Sequence, residues 1–175
     1  IAQKAGYNDN TEFSNVTSAV AAAALVPGTA PSISGTKRVG QLLTATTGTL
    51  TIDEVDALVL NATVSGTATI TAGGNLTGSL KAATADLTAP LIDLDTTIGT
   101  LTANTGTLTI RESDDLILSN VVVTGTATIT LASGALTGDL NAADAVLTAP
   151  GGISLATDIT GAVTATSFDA PISIT

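Results

Sequence analysis

Two short acidic turns contain the side chains of this chain that are best suited to chemistry. Each turn follows a short apolar alternation, and together the turns hold the carboxylates of Asp53, Glu54, Asp56, Glu112, Asp114 and Asp115. Calcium takes about six to eight oxygen ligands, most often from carboxylates. If the turns stack in neighbouring coils or neighbouring subunits, the sequence predicts a Ca²⁺ site there. The alternative is a pair of solvated loops whose charges keep the surface soluble, with Arg111 partly neutralising the second.

The remaining composition offers little for catalysis. Histidine and cysteine are absent, which removes the commonest general base, the thiolate nucleophile and zinc–thiolate sites. Two carboxylates in a groove can hydrolyse glycosides, but enzymes of this type generally line the cleft with aromatic and basic residues. Only 2% of this chain is aromatic and only five residues are basic. We therefore predict that the protein is not an enzyme and that it uses no cofactor other than the Ca²⁺ considered above.

The charge balance narrows the range of partners. Fifteen acidic residues against five basic ones give a formal net charge of −10. Nucleic acids and anionic lipid surfaces both require a basic footprint, so neither is expected to bind. The longest alanine-rich apolar run, residues 19–26, is too short to cross a bilayer, and we predict no membrane insertion.

The chain changes character near residue 36. Residues 1–35 contain a polar start, an alanine-rich stretch and a Pro27-Gly28 stop, which predict a short helix or a flexible linker. We expect this segment to cap the rest of the chain, to link it or to bridge to another subunit. From residue 36 to residue 175 short strands are predicted, because apolar residues such as Leu50 and Ile52 alternate with threonine and the strands end at Gly, Asn or Asp.

Two nested repeats run through the strand region. The stretch "TGTLTIDEVDALVL" at residues 47–60 returns as "TGTLTIRESDDLIL" at residues 105–118, and other segments return at offsets of 58 to 61. The long repeat covers about residues 43–100 and 101–162. Within it, Ile52, Ile70 and Leu87 end similar strands at spacings of 18 and 17, and Ile110 follows at a wider spacing of 23. These spacings predict three coils of roughly twenty residues in each long repeat.

Stacked coils of this length predict an all-β fold. One coil cannot bury its apolar side alone, whereas stacked coils bury a continuous column of aliphatic residues. We predict a parallel, right-handed β-helix of about seven coils over residues 36–175. A β-sandwich is the alternative, since it also has many short strands. A sandwich core usually contains large aromatic residues, and none stands in residues 17–167.

The repeat texture resembles a known family. The phrases "GTLTIDEVDALVLNATVSGTATITAGG" and "GTLTIRESDDLILSNVVVTGTATIT" are similar to repeats of the filamentous-haemagglutinin-like exoproteins, the large secreted bacterial adhesins. The resemblance covers about residues 39–160. It implies a right-handed β-helix displayed outside a bacterial cell.

The predicted function is structural. The alternation still runs at residues 172–174 without a polar cap, so either more chain or another subunit is expected to cover that end. We predict a self-associating extracellular subunit of a bacterial surface filament or fibrous adhesin, whose partners are copies of itself, stacked end to end or joined through the N-terminal segment. The alternative is an adhesin module of a larger exoprotein that binds a glycan or protein on a host or cell surface.

Two further patterns have weaker functional interpretations. The pairs Thr67-Ala-Thr69 and Thr126-Ala-Thr128 predict outward threonine rows similar to those of ice-binding proteins, although threonine is also a common exposed strand residue. Asn15, Asn61 and Asn75 begin Asn-x-Thr triplets that would accept glycans in a glycosylating host. In a chain rich in threonine and asparagine, such triplets also arise by chance.

Overall fold

The structure is a computed structural model, and it describes residues 48–175. The predictions for residues 1–35, and the start of the solenoid and of the first long repeat, lie outside the described residues. Residues 48–175 consist of strands and turns, and no helix in this part of the chain is long and apolar enough to span a membrane.

Nine strands make up the described region, and every pairing between different strands is parallel. The strands are β1 (Leu50–Glu54), β2 (Leu58–Thr63), β3 (Thr67–Ala72), β4 (Leu76–Glu112), β5 (Leu116–Leu131), β6 (Leu136–Thr148), β7 (Ile153–Ile159), β8 (Val163–Thr166) and β9 (Ile172–Ile174). The long β4 is continuous through several corners of the coil, including those at Gly99 and Gly106.

The strand register confirms the predicted β-solenoid. Ile52 pairs with Ile70, and Ile70 pairs with Leu87, at the predicted spacings of 18 and 17. The region contains about seven turns, and parallel pairing along the chain rules out the β-sandwich, whose sheets are antiparallel. The right-handedness of the coil stays a prediction.

The core is one column of small aliphatic side chains. In β1 to β7 buried residues alternate with more exposed ones over most of the strand, as in Leu58–Thr63, where every second residue is buried. Leu50, Leu87, Ile110 and Leu147 are at most 1% exposed and belong to one cluster that runs through all the central coils. Burying such a side chain stabilises the fold by about 1.5–3 kcal/mol. Stacked aliphatic rungs therefore stabilise the fold without aromatic residues.

Each coil has two strand segments, which we call side A and side B. Side A begins with β1 and continues upward through β3 and parts of β4, β5 and β6 to β7 and β9. Side B begins with β2 and continues through other parts of β4, β5 and β6 to β8. The chain changes direction between the two sides in every coil, so each coil has an A-to-B corner and a B-to-A corner.

The prediction that a long repeat contains three coils is wrong. Within β4 the step between coils falls to 16, since Gly99 lies against the Ala83 carbonyl and Gly106 against the Pro90 carbonyl. Ile110 therefore stacks above Leu94 and not above Leu87. Three coils take the chain only from residue 48 to residue 99, so the long repeat contains about three and a half coils. Equivalent residues of the two copies consequently lie on different sides of the solenoid.

Candidate functional site

The first acidic turn occupies the A-to-B corner of the lowest described coil. Asp53 and Glu54 end β1, and the turn that follows exposes 82% of Val55. The Glu54 side-chain Oε1 accepts a hydrogen bond of 3.1 Å from the Val55 amide. The coil above presents Gly73 and Gly74, whose amides donate to the carbonyl oxygens of Glu54 and Asp56. No carboxylate therefore stacks directly on this turn within residues 48–175.

The second acidic turn occupies a B-to-A corner, and two of its carboxylates hold backbone groups. Glu112 is only 2% exposed, and its Oε2 accepts a hydrogen bond of 3.0 Å from the Ile98 amide of the coil below. Its Oε1 accepts a 2.7 Å bond from the Ser113 amide. The Asp115 Oδ1 accepts a 2.7 Å bond from the Ala135 amide of the coil above. Both carboxylates thus join neighbouring coils, while Asp114 is exposed.

The six predicted calcium ligands are not brought together within the described chain. Because the long repeat contains about three and a half coils, the first turn lies at an A-to-B corner and the second at a B-to-A corner, several coils apart. In residues 48–175 no three acidic side chains form a group that could hold a metal ion. Calcium binding stays a prediction. A Ca²⁺ ion at one of these turns could take further ligands from the carboxylates of a neighbouring subunit.

Arg111 forms an ion-pair cluster that the sequence did not indicate. Its Nη2 lies 2.6 Å from Asp93 Oδ1, and its Nε lies 2.5 Å from Asp95 Oδ1. Hydrogen bonds to Asp95 and then Asp93 raise the pKa of the guanidinium above its ordinary value. The sequence pattern placed Arg111 beside its own turn; only the short step within β4, which was not predicted, sets it over these aspartates of the coil below.

A threonine array covers the outward face of side A in the first four described coils. Its members point away from the core and are half-buried or exposed: Thr49, Thr51, Thr67, Thr69, Thr71, Thr84, Thr88, Thr100 and Thr102. Asp86 interrupts one column. The predicted pair Thr126-Ala-Thr128 also points outward, but on side B. The two pairs therefore do not share one face.

The uppermost coil exposes apolar side chains and strand edges. Phe168 is 70% exposed, and Ile172 and Val163 are exposed by 44% and 42%. Pro171 and Thr175 bond to β7 through the Ile153 amide, the Leu155 carbonyl and the Thr157 amide. Since peptide groups alternate along a strand, those of Ile172 and Ile174 point to the open side, where residues 48–175 provide no neighbouring strand.

Two shallow grooves lie along the described part of the solenoid. One, of about 270 Å³, is lined by Asn120, Asp139, Asn141 and Asp158 among others. Asn120 has a φ of 60°, and the register of β4 and β5 against each other shifts beside it. The other groove, of about 440 Å³, lies beside Lys81 and Asp115 at a B-to-A corner.

No family model, curated protein or solved structure matches the chain. The resemblance to filamentous-haemagglutinin-like repeats thus stays a prediction.

Proposed function

We propose that the chain is a structural, self-associating subunit of an extracellular bacterial filament or fibrous adhesin. The observation that carries the proposal is the upper coil, whose outer strand edges are unpaired within residues 48–175. There, β8 and β9 pair on one side only among the described residues, and Ile172, Ile174 and Val163 lie beside the unpaired edges. An unpaired parallel edge is a template for further strands. A second copy would continue the same column at a rise of about 4.8 Å per coil.

The stacking of coils determines which surfaces of two copies would meet. Contact between an upper end and a lower end is heterologous, and such contacts produce open fibres when the rotation does not close a ring. The acidic surface keeps the sides of neighbouring rods apart through mutual repulsion. End-to-end growth is then favoured over lateral clumping.

A matched pair of substitutions tests the end-to-end contact. Ile172 at the open end is 44% exposed, and Ile117 on the outer surface of side A is 50% exposed. Electron microscopy and sedimentation of the full chain should show filaments for the wild type and for Ile117→Lys, and dispersed particles for Ile172→Lys. Filaments that persist in Ile172→Lys, or a wild type that stays monomeric at every concentration, would contradict the proposal.

A binding module is the second candidate, and the groove beside Asn120 favours it. Asn141 pairs with Asp158 in register, and their side chains share the groove with Asp139. Amide and carboxylate oxygens arranged in this way accept hydrogen bonds from sugar hydroxyls or peptide groups. A glycan array probed with the monomeric chain should then show binding that Asp158→Ala reduces and Asp56→Ala leaves unchanged.

A further inference from the structure

The threonine array forms a two-dimensional lattice in which Asp53 and Asp86 each take one position. Thr51 pairs with Thr69, and Thr67 pairs with Thr84, in a register without bulges through β1, β3 and the adjoining part of β4. Register shifts first occur above Leu101. Alternate threonines on one strand are about 6.6 Å apart, and threonines of successive coils are about 4.8 Å apart. The outer surface of side A therefore repeats hydroxyl and methyl groups at constant intervals in both directions.

The hydroxyl groups of the array have no protein partners in the described region. None of the array's threonines takes part in a side-chain hydrogen bond within residues 48–175. The lower part of side B differs, since Ser79 donates to Asn61, Ser113 donates to Thr97, and Arg111 binds two aspartates. Several outward side chains of side B are thus bonded to one another, whereas no hydroxyl of the array has a side-chain hydrogen bond within residues 48–175.

A free threonine hydroxyl offers one donor and two acceptor sites to water, and the neighbouring methyl group limits where that water can lie. Each water that is immobilised between protein groups loses entropy. A lattice that already spaces its hydroxyls regularly can hold many waters in one repeating arrangement. We propose that the threonine array binds the surface of ice, with its hydroxyls ordering the contact layer of water.

The array lacks the features that other ligands would require. A flat polysaccharide would need aromatic rings to stack on, and Phe168, the one aromatic residue of residues 48–175, lies in the uppermost coil. A strongly ionic partner would need a densely charged surface, and the array's columns contain only two charges among the described residues, Asp53 and Asp86. A weakly charged lattice without aromatic residues fits ordered water best. This binding does not depend on the assembly proposed above.

A matched pair of substitutions on one coil tests the array. Thr69 lies within the array, and Thr77 points outward on side B of the same coil. The wild-type chain should inhibit recrystallisation of ice and produce thermal hysteresis. Thr69→Tyr should lower this activity about tenfold, because a ring standing above the lattice displaces one or two bound waters. Thr77→Tyr should leave the activity unchanged.

Three results would overturn the proposal. The first is a wild-type chain without activity on ice at any concentration. The second is equal loss in Thr69→Tyr and Thr77→Tyr. The third is retention on crystalline cellulose or chitin that Thr69→Tyr abolishes, with no effect on ice, which would assign the array to a glycan. If circular dichroism shows that Thr69→Tyr is unfolded, Thr102→Tyr on the fourth coil gives the same comparison.

Discussion

Gly106 lies directly above Pro90, one coil earlier in the chain, with the two backbones in contact. A Cβ on Gly106 would lie 2.6 Å from the Pro90 carbonyl oxygen. In the long repeat Gly106 is the equivalent of Gly48, yet Gly48 lies beneath Gly66 at the start of side A. This contact therefore shows that equivalent glycines of the two repeat copies occupy different corners of the coil.

Substitution of Gly106 by alanine should destabilise the fold. The added methyl group would meet a backbone carbonyl that is held by two neighbouring coils, and overpacking of this kind costs about 1–3 kcal/mol. Gly99→Ala is the control, because its Cβ would lie 3.1 Å from the Ala83 oxygen. There the gain in strand preference, about 0.5–1 kcal/mol, offsets the crowding. Chemical denaturation should show a lower midpoint for Gly106→Ala alone; equal midpoints would contradict the close stacking of Gly106 on Pro90.

The sequence predicted the architecture but not the phase of the coils. The spacings of 18 and 17 at Ile52, Ile70 and Leu87 are visible because glycine, serine or aspartate marks the turns between them. Between Leu87 and Ile110, Gly99 and Gly106 stand at corners, yet β4 continues through these corners without a break. Apolar and polar residues alternate in the same way on side A and on side B. The periodicity of the sequence therefore does not show to which side a strand segment belongs. Only the contacts within β4 show that Ile110 stacks above Leu94 and not above Leu87.

Glu112→Gln should weaken the junction between coils. Both carboxylate oxygens of Glu112 accept backbone amides, from Ile98 and from Ser113. A glutamine places a second donor against one of these amides and leaves a buried group unsatisfied, which costs about 1–3 kcal/mol. Asp114→Asn is the control, because this exposed side chain should change the free energy of unfolding by no more than about 0.5 kcal/mol. Urea denaturation measures both; equal stability of Glu112→Gln and wild type would show that these bonds contribute nothing.

Arg111→Gln should lower stability only slightly, and less at high salt. The guanidinium is half exposed and holds Asp93 and Asp95, and exposed ion pairs contribute less than about 1 kcal/mol. Because hydrogen bonds to Asp95 and Asp93 raise the pKa of Arg111, titration of the guanidinium itself removes this contribution only in alkali above the ordinary arginine value. Denaturation in low salt and in about 1 M salt, where the Debye length is about 3 Å, should show the difference shrinking. Lys81→Gln, which has no ion pair in residues 48–175, should show no salt-dependent difference.

The candidate sites were predictable as residue types but not as neighbours. The acidic residues and threonine pairs were evident in the sequence, yet their grouping depends on which corner or side each copy of the repeat occupies. Glu112 is an example. A carboxylate in an acidic turn is expected to be exposed to solvent, but that of Glu112 is only 2% exposed and accepts hydrogen bonds from backbone amides. The half-coil offset also separates Thr69 from Thr128, which the repeat had suggested would share a face.

Removal of calcium should affect assembly and not the folded monomer. The two acidic turns lie at different corners of the described chain, so any shared Ca²⁺ would have to take ligands from two subunits, where Asp56 and Asp114 are exposed. A chelator should therefore reduce the mass of filaments in sedimentation while leaving the melting temperature of the monomer unchanged. Magnesium, which prefers fewer protein ligands and retains its waters, should not restore assembly. A fall in the monomer's melting temperature would instead require a site within one chain.

Deletion of residues 1–35 should separate folding from assembly. Within residues 48–175 the buried core runs from Leu50 to Leu155, and these coils bond to one another. We expect the shortened chain to keep its strand content and melting temperature. If the N-terminal segment bridges to the open edge of a neighbouring copy, filament formation should fall sharply, because an added strand supplies both backbone hydrogen bonds and side-chain contacts. Circular dichroism and electron microscopy of the same preparation measure the two effects. Filaments of unchanged length from the shortened chain would show that the coils stack without the segment, and a loss of strand content would show that the segment belongs to the fold.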